Sequence, residues 1–359
     1  MNEKIDVVLM RNGWHGKFLF FVISFSETGM KYVYLIVLSF FTALAPAFAA
    51  EPVKYNKELD GFDYPFDVKT FNFNSQKTDL AMRYMDIGDK DAKKVMVLLH
   101  GKNFSGYYWE QVANDLLKNG YRVIIPDQIG FGKSTKPDFY QYSFGQLALN
   151  TKLLLDSLQI KQFELVGHSM GGMLATTFAV NYPSAVSKLI LINPIGLEDY
   201  SQYVQFKDVN FFYKNELGKT LDKARNYQKA NYYDGKWSSE YEKLLVPLQG
   251  TLAGDDWPIV AWNNALTYGP IFSENIVDRF SQITSETVLI IGTRDQTGPG
   301  RGWLKDGVTR KLGEYKKLGV NAHQLIKGST LIELEGLGHM PQIEDYPVFI
   351  KAFHQAIAE

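Results

Sequence analysis

Gly167-His168-Ser169-Met170-Gly171 combines residue types and spacing that could place a nucleophile. An apolar run, Phe163-Glu164-Leu165-Val166, precedes it, and a helix-like run, Gly172 to Val180, follows. G-x-S-x-G between a strand and a helix makes a turn sharp enough to strain the Ser backbone and expose its Oγ above a sheet. Glycine on both sides removes Cβ atoms that would clash in the tight crossing. The helix start points free N–H groups and the positive dipole end at the same place. By itself this five-residue pattern also fits an ordinary turn with an N-cap Ser, so the reading depends on partners elsewhere in the chain.

A Ser nucleophile needs a base, normally His, and the chain has 6 His. His15 lies in the N-terminal leader. His168 adjoins Ser169 on the rigid turn and should point elsewhere. His354 sits inside the last helix, and His323 in a polar segment before a strand. His100 ends a buried strand and should brace a loop. His339 remains, in Glu335-Gly336-Leu337-Gly338-His339-Met340-Pro341 after the last strand. The third member must orient the imidazole and stabilise its charged form. Asp295, after the penultimate strand, is the expected residue. Asp199 is an alternative, and Glu335 a poor one because it precedes the loop. The oxyanion of an acyl-transfer intermediate needs main-chain N–H donors. Met170 N–H and Lys102 N–H, the latter in His100-Gly101-Lys102-Asn103-Phe104, are the candidates. The Lys102 side chain has no role legible in the sequence.

These residues need a sheet to carry them. Val95–Leu99, Tyr121–Pro126, Phe163–Val166 and Leu189–Ile192 are continuous apolar runs, as expected of strands buried on both faces. Helix-like segments separate them: Tyr107–Asn119, one from an Ser143 N-cap to Leu158, and the run after Ser169. Phe66–Phe73 and Leu80–Met85 alternate and suit an antiparallel pair at an edge. The series predicts an α/β fold, a mostly parallel sheet with helices on both faces. Residues 198–285 break the rhythm with aromatic, helical text, and it resumes at Val288–Ile291 and Leu331–Leu334. The expected organisation is a core of residues 50–197 and 286–359 interrupted by a helical cap, 198–285. Such an insertion at the strands' carboxyl ends lies where ligands bind.

The chain has 359 residues, 45% hydrophobic and 21% charged, with formal net charge −1 and no Cys. Near-neutral charge argues against nucleic-acid binding, and the absence of Cys removes disulfides and thiolate chemistry. Asp127-Gln128-Ile129-Gly130-Phe131-Gly132-Lys133-Ser134 is no phosphate loop, because Asp127 stands where the motif needs Gly. Asp255-Asp256 reads as a turn or helix cap. No metal or cofactor is implied. Lys31, the apolar run Tyr32–Phe41 and Ala47-Phe48-Ala49 together read as a signal peptide cleaved after Ala49. An uncleaved anchor helix is the alternative, and only then would a membrane be a partner. A second apolar stretch, Phe18–Ile23, precedes Met30, which is the expected true start. The protein is therefore expected to be exported, periplasmic or secreted.

Taken together, His100-Gly101, Asp127-x-x-Gly130-x-Gly132-x-Ser134, Gly167-His168-Ser169-Met170-Gly171-Gly172, Asp295 and Gly338-His339 resemble the α/β-hydrolase superfamily of the cap-domain type. The order Ser169, Asp295, His339 is that superfamily's order. The resemblance implies an eight-stranded sheet, a cap inserted after the sixth strand and a Ser-His-Asp hydrolase. Haloalkane dehalogenases and epoxide hydrolases of this fold use an Asp nucleophile and so fit less well. The expected substrate is a small or medium carboxylic ester. Amide or peptide cleavage is one alternative, and carbon–carbon bond hydrolysis, whose sub-family shares the His-Ser-Met-Gly elbow, another. A ligand-binding protein without catalysis fits poorly beside a full set of catalytic residue types.

Overall fold

The computed structural model describes residues 53–358 and, ahead of them, two strands, β1 (Leu19–Phe25) and β2 (Tyr32–Leu38). The chain divides into two compact units, residues 1–51 and 52–359. In the first, β1 and β2 pair antiparallel, Leu19 opposite Leu38 and Phe25 opposite Tyr32. The apolar run considered as an anchor helix is thus a strand over Tyr32–Leu38. Met30 and the Ala47-Phe48-Ala49 cleavage motif lie outside the described residues.

The second unit is built on eight strands: β3 (Val68–Ser75), β4 (Thr78–Ile87), β5 (Lys94–Leu99), β6 (Tyr121–Pro126), β7 (Phe163–His168), β8 (Val186–Ile192), β9 (Glu286–Gly292) and β10 (Thr330–Leu334). Their order is β10-β9-β8-β7-β5-β6-β4-β3. β3 and β4 are the expected antiparallel edge pair, and the six strands from β5 to β10 are parallel. Side chains leave successive strand positions on opposite faces, so each apolar run feeds two cores. Val97, Leu99, Leu165, Leu189 and Leu191 face one cluster, with α2 (Phe144–Ser157), α3 (Met170–Asn181) and α11 (Tyr315–Leu325). Met96, Leu98, Val166, Ile190 and Ile192 face the other, with α1 (Glu110–Lys118) and α13 (Tyr346–Ala358). The Ser143 hydroxyl accepts from Gln146 N–H and caps α2. His323, expected in a polar segment, belongs to α11.

Between β8 and β9, the sixth and seventh strands of the sheet, the chain is helical. The elements are α4 (Tyr200–Tyr203), α5 (Val209–Leu217), α6 (Leu221–Asn231), α7 (Ser239–Lys243), α8 (Val246–Ala253), α9 (Trp257–Leu266) and α10 (Tyr268–Ser273). Side-chain caps start several of them: Asp208 accepts from Phe211 N–H, Thr220 from Lys223 N–H and Ser238 from Tyr241 N–H. Helices this short draw their stability from packing rather than propensity. Here Phe212 of α5 stacks on Tyr268 and Phe272 of α10, with ring centroids 4.5 and 5.6 Å apart. Trp303, from the loop after β9, closes this cluster edge-on against Phe211 and Phe212. The aromatics are therefore the block's own core and also its tie to the sheet. α12 (Pro341–Glu344) follows the His339 loop.

Candidate active site

Ser169 sits between β7 and α3 with φ 57° and ψ −121°, a strained conformation for a residue with a side chain. Its neighbours leave no alternative. A Cβ on Gly167 would lie 2.3 Å from Gly171 O, one on Gly171 2.4 Å from Leu99 O, and one on Gly172 2.4 Å from Pro194 Cβ. Three main-chain hydrogen bonds pin the turn: Ser169 N–H to Ile192 O, and Gly172 and Ile195 N–H to Ser169 O. The sequence thus sets the buried Ser169 out of a rigid crossing onto the wall of a cavity.

The structure brings Ser169, His339 and Asp295 into one hydrogen-bonded line. Ser169 Oγ lies 2.9 Å from His339 Nε2, and His339 Nδ1 2.7 Å from Asp295 Oδ2. An ionised carboxylate only accepts, so Nδ1–H donates and Nε2 is free to receive the Ser169 proton. Asp295 is buried, and burial alone would raise its pKa. His339, Thr297 N–H and Asn193 Nδ2–H more than offset that, and the carboxyl is held below its usual range. Asp199 is elsewhere, capping α4, and Glu335 is exposed and paired with Lys316.

The other histidines do what their surroundings allow. His100 is buried and bridges Gly101 O and Gln128 N–H, bracing its loop. His354 pairs with Asp115 on the surface. His168 does more than point away. Its Nε2–H donates to His339 O at 2.8 Å, and its Nδ1 accepts from Tyr108 O–H, which in turn accepts from Gly101 N–H. Burial, with His339 beside it, lowers the His168 pKa to about 3, so the ring is neutral.

Four supporting residues escaped the sequence reading. Asn193, in left-handed backbone with φ 39° at the end of β8, donates to Asp295 and accepts from Gly292 N–H. Tyr232, at the end of α6, lies over the His339 imidazole with ring centroids 4.7 Å apart. Arg294 donates to Gly336 O and pairs with Glu344, which accepts from Gly338 N–H, so the His339 loop is fixed at both ends. Tyr108 links the Gly101 loop to His168. Only Asn193 left a trace in the sequence, as a polar residue ending a buried strand.

The Gly101 loop lies directly against the nucleophile: a Cβ on Gly101 would stand 3.4 Å from Ser169 Oγ. Lys102 follows Gly101 in that loop, and Met170 follows Ser169 as the first residue of α3. Asp127 has a structural role. Its carboxylate accepts from Gly106 N–H, Lys133 N–H and Tyr64 O–H. A cavity of about 510 Å³ opens on Ser169, walled by Ile195, Phe131, Trp257, Tyr268 and Phe272. That size suits a small organic ligand. Among the described residues no group of acidic, His or Cys side chains is arranged to hold a metal ion.

The family model of the alpha/beta hydrolase fold matches residues 94–305. The chain belongs to that family. A probable hydrolytic enzyme from Pseudomonas aeruginosa has a similar structure, with TM-score 0.82 and 41% identity over 85% of this chain and 98% of that one. A 2-hydroxy-6-oxononadienedioate/2-hydroxy-6-oxononatrienedioate hydrolase of Paraburkholderia phymatum is 31% identical over 62% of this chain and 77% of its own length. A 2-hydroxy-6-oxo-6-phenylhexa-2,4-dienoate hydrolase of Comamonas testosteroni is 26% identical over 61% and 82%. The chain has the eight-stranded, mostly parallel sheet of this fold and is an enzyme of that fold.

Proposed function

We propose that this chain is a serine hydrolase acting on carboxylic esters through an acyl-enzyme, with Ser169 as nucleophile, His339 as base and Asp295 as its partner. The observation that carries this reading is the continuous line from Ser169 Oγ to His339 Nε2 (2.9 Å) and from Nδ1 to Asp295 (2.7 Å). His339 Nε2 takes the Ser169 proton as Oγ bonds to the acyl carbon. Met170 and Lys102 N–H groups hold the oxyanion. The carbon–oxygen bond to the leaving group then breaks, and His339 returns the proton to the departing alkoxide. Water, deprotonated by His339, cleaves the acyl-enzyme and restores Ser169. The helical block over the cavity acts as the cap that excludes bulk water.

The test is covalent labelling by a fluorophosphonate, mapped by mass spectrometry. Label at Ser169, absent in Ser169→Ala and His339→Ala, is the expected outcome; a folded protein that takes no label overturns the reading. Carbon–carbon bond hydrolysis is the second reading, favoured by the names of relatives that are 31% and 26% identical over 62% and 61% of this chain. A matched aryl ester and vinylogous keto acid separate the two by kcat/KM. Export is proposed with this function, and N-terminal sequencing of the cellular protein, expected to begin at Ala50, tests it.

A further inference from the structure

The cavity is lined by six basic side chains, Lys57, Lys102, Lys136, Lys219, Lys223 and Arg301, and by a single acid, Glu216. Most of the basic groups are engaged. Lys136 is held by the carbonyls of Gly132 and Ser134, Lys223 by that of Gly218, and Arg301 by Gln296 O and Asn231. Lys102 is different. Its Nζ donates to two neutral acceptors, Asn264 O at 2.7 Å and Thr267 Oγ1 at 2.9 Å, and lies 4.0 Å from the Tyr268 ring centre. Glu216, the one carboxylate on the wall, is taken by Lys219 and accepts from Tyr268 O–H. No carboxylate therefore contacts the Lys102 ammonium, and removal from water, the dominant cause, lowers its pKa to about 7. Glu216 acts on this ammonium only from beyond contact distance and Lys219 opposes it, so removal from water costs free energy that an anion in direct contact would recover.

A second observation points the same way. Four residues that line the cavity carry buried polar atoms without a partner: Trp257 Nε1, Trp303 Nε1, Thr297 Oγ1 and Gln228 Oε1. Two of the four are pure donors and a third can donate. Thr297 and Trp257 are more than nine-tenths buried. A purely apolar acyl chain would leave every one of them unsatisfied.

Resting on the acyl-transfer reading of Ser169, we propose that the cavity selects acyl chains that end in a second, ionised carboxylate, with the Lys102 ammonium as its counter-charge. The main-chain N–H of the same residue borders the reacting carbonyl, and a lysine stem of about four carbons separates the two. The preferred acyl groups are therefore short dicarboxylic half-esters, with roughly three to five carbons between the carboxyl groups.

The test compares two chromogenic esters of equal length, the p-nitrophenyl monoester of glutaric acid and its methyl-capped neutral analogue. The parent enzyme should favour the acid in kcat/KM by about tenfold or more, the scale of one hydrogen bond to a charged group. Lys102→Met should bring that ratio close to one, and Lys102→Arg should keep the preference. Equal rates on both esters, or a preference that survives Lys102→Met, overturn the proposal. Inhibition needs no variant: glutarate should inhibit hydrolysis of a neutral ester at about a tenth or less of the concentration of glutaramide, its neutral analogue without an ester bond, and equal potency overturns the proposal as well. Fluorophosphonate labelling of the same preparation separates the two levels. Label at Ser169 with no preference for the acid sinks this inference alone, whereas absence of label sinks the hydrolase reading beneath it.

Discussion

Asn193 supports the acid partner from a distant strand end, beside the larger contributions of His339 and Thr297 N–H. It lies 102 positions from Asp295 in the chain, yet its amide donates to Asp295 at 2.8 Å while its carbonyl accepts from Gly292 N–H. The amide is one of the contacts that hold the Asp295 carboxyl below its usual range. A depressed carboxylate contributes stability above its unfolded pKa and loses it as pH falls through the folded value. Removing one donor raises the folded value, so Asn193→Ala should lose activity at a higher pH than the parent on the acid side. Near neutral pH the loss of a hydrogen bond to a charge should lower kcat about 10- to 100-fold, with KM little changed. A pH profile of kcat for both proteins checks it. An unshifted acid limb would mean that Asn193 only braces the backbone. Ser169, Asp295 and His339 could be read from the sequence because each follows a strand within a short, glycine-marked segment. Asn193, Tyr232 and Arg294 could not, because their partners are set by the packing of distant segments.

At the scale of elements, the His339 loop is held between β9 and the end of α6. Gly338 is the tightest point: a Cβ there would lie 2.1 Å from Tyr232 O and 2.9 Å from Arg294 Nη2. Gly338→Ala must push Tyr232 away, and with it the ring over the imidazole. Overpacking of this kind costs about 1–3 kcal/mol. The expected outcome is a lower Tm together with a fall in kcat larger than that of Gly336→Ala. Gly336 is a fair control, since no atom lies within 4 Å of a Cβ placed there, although its φ of 77° makes alanine strained. Equal loss in the two variants would remove the coupling between α6 and His339. The strand and helix alternation of the sheet was legible because short continuous apolar runs, buried on both faces, are local signals. α11 was legible only as the polar segment that holds His323, because charged residues surround its apolar stripe. Lys317 pairs with Glu314, Lys316 with Glu335 and Arg310 with Glu198, while Tyr315, Leu318, Gly319 and Ala322 form the buried stripe at helical spacing. The helical block was legible only as an interruption, since its helices are too short to show a period.

At the scale of the whole molecule, the segment ahead of β3 fastens the helical block to the sheet. Tyr55 N–H donates to Gly250 O in α8, and the Tyr55 ring fills the space that a Gly250 Cβ would enter at 2.1 Å. Lys57 N–H donates to Asp256 at the start of α9. Leu59 is buried, and its carbonyl accepts from Lys133 Nζ in the loop after β6. Five residues, Tyr55 to Leu59, thus bridge two helices of the block and one loop of the sheet. Both hydrophobic clusters of the second unit, with the partly buried residues packed against them, lie within residues 64–357. A chain beginning at Ala50 should therefore melt at the Tm of a chain beginning at Met30 and take the fluorophosphonate equally well. A chain beginning at Asp60 should lose the Tyr55 and Leu59 side chains and three hydrogen bonds. Burial of two such side chains is worth about 1.5–3 kcal/mol each. Its Tm should fall by several degrees, roughly 2–4 °C per kcal/mol at this size, while label still reaches Ser169 at low temperature, because no residue of the triad or its supports is removed. Protease susceptibility locates the loss: new cleavage should appear first between residues 246 and 266, in α8 and α9. Cleavage that begins instead in the sheet would mean that the segment supports the fold as a whole and does not serve chiefly to hold the block down.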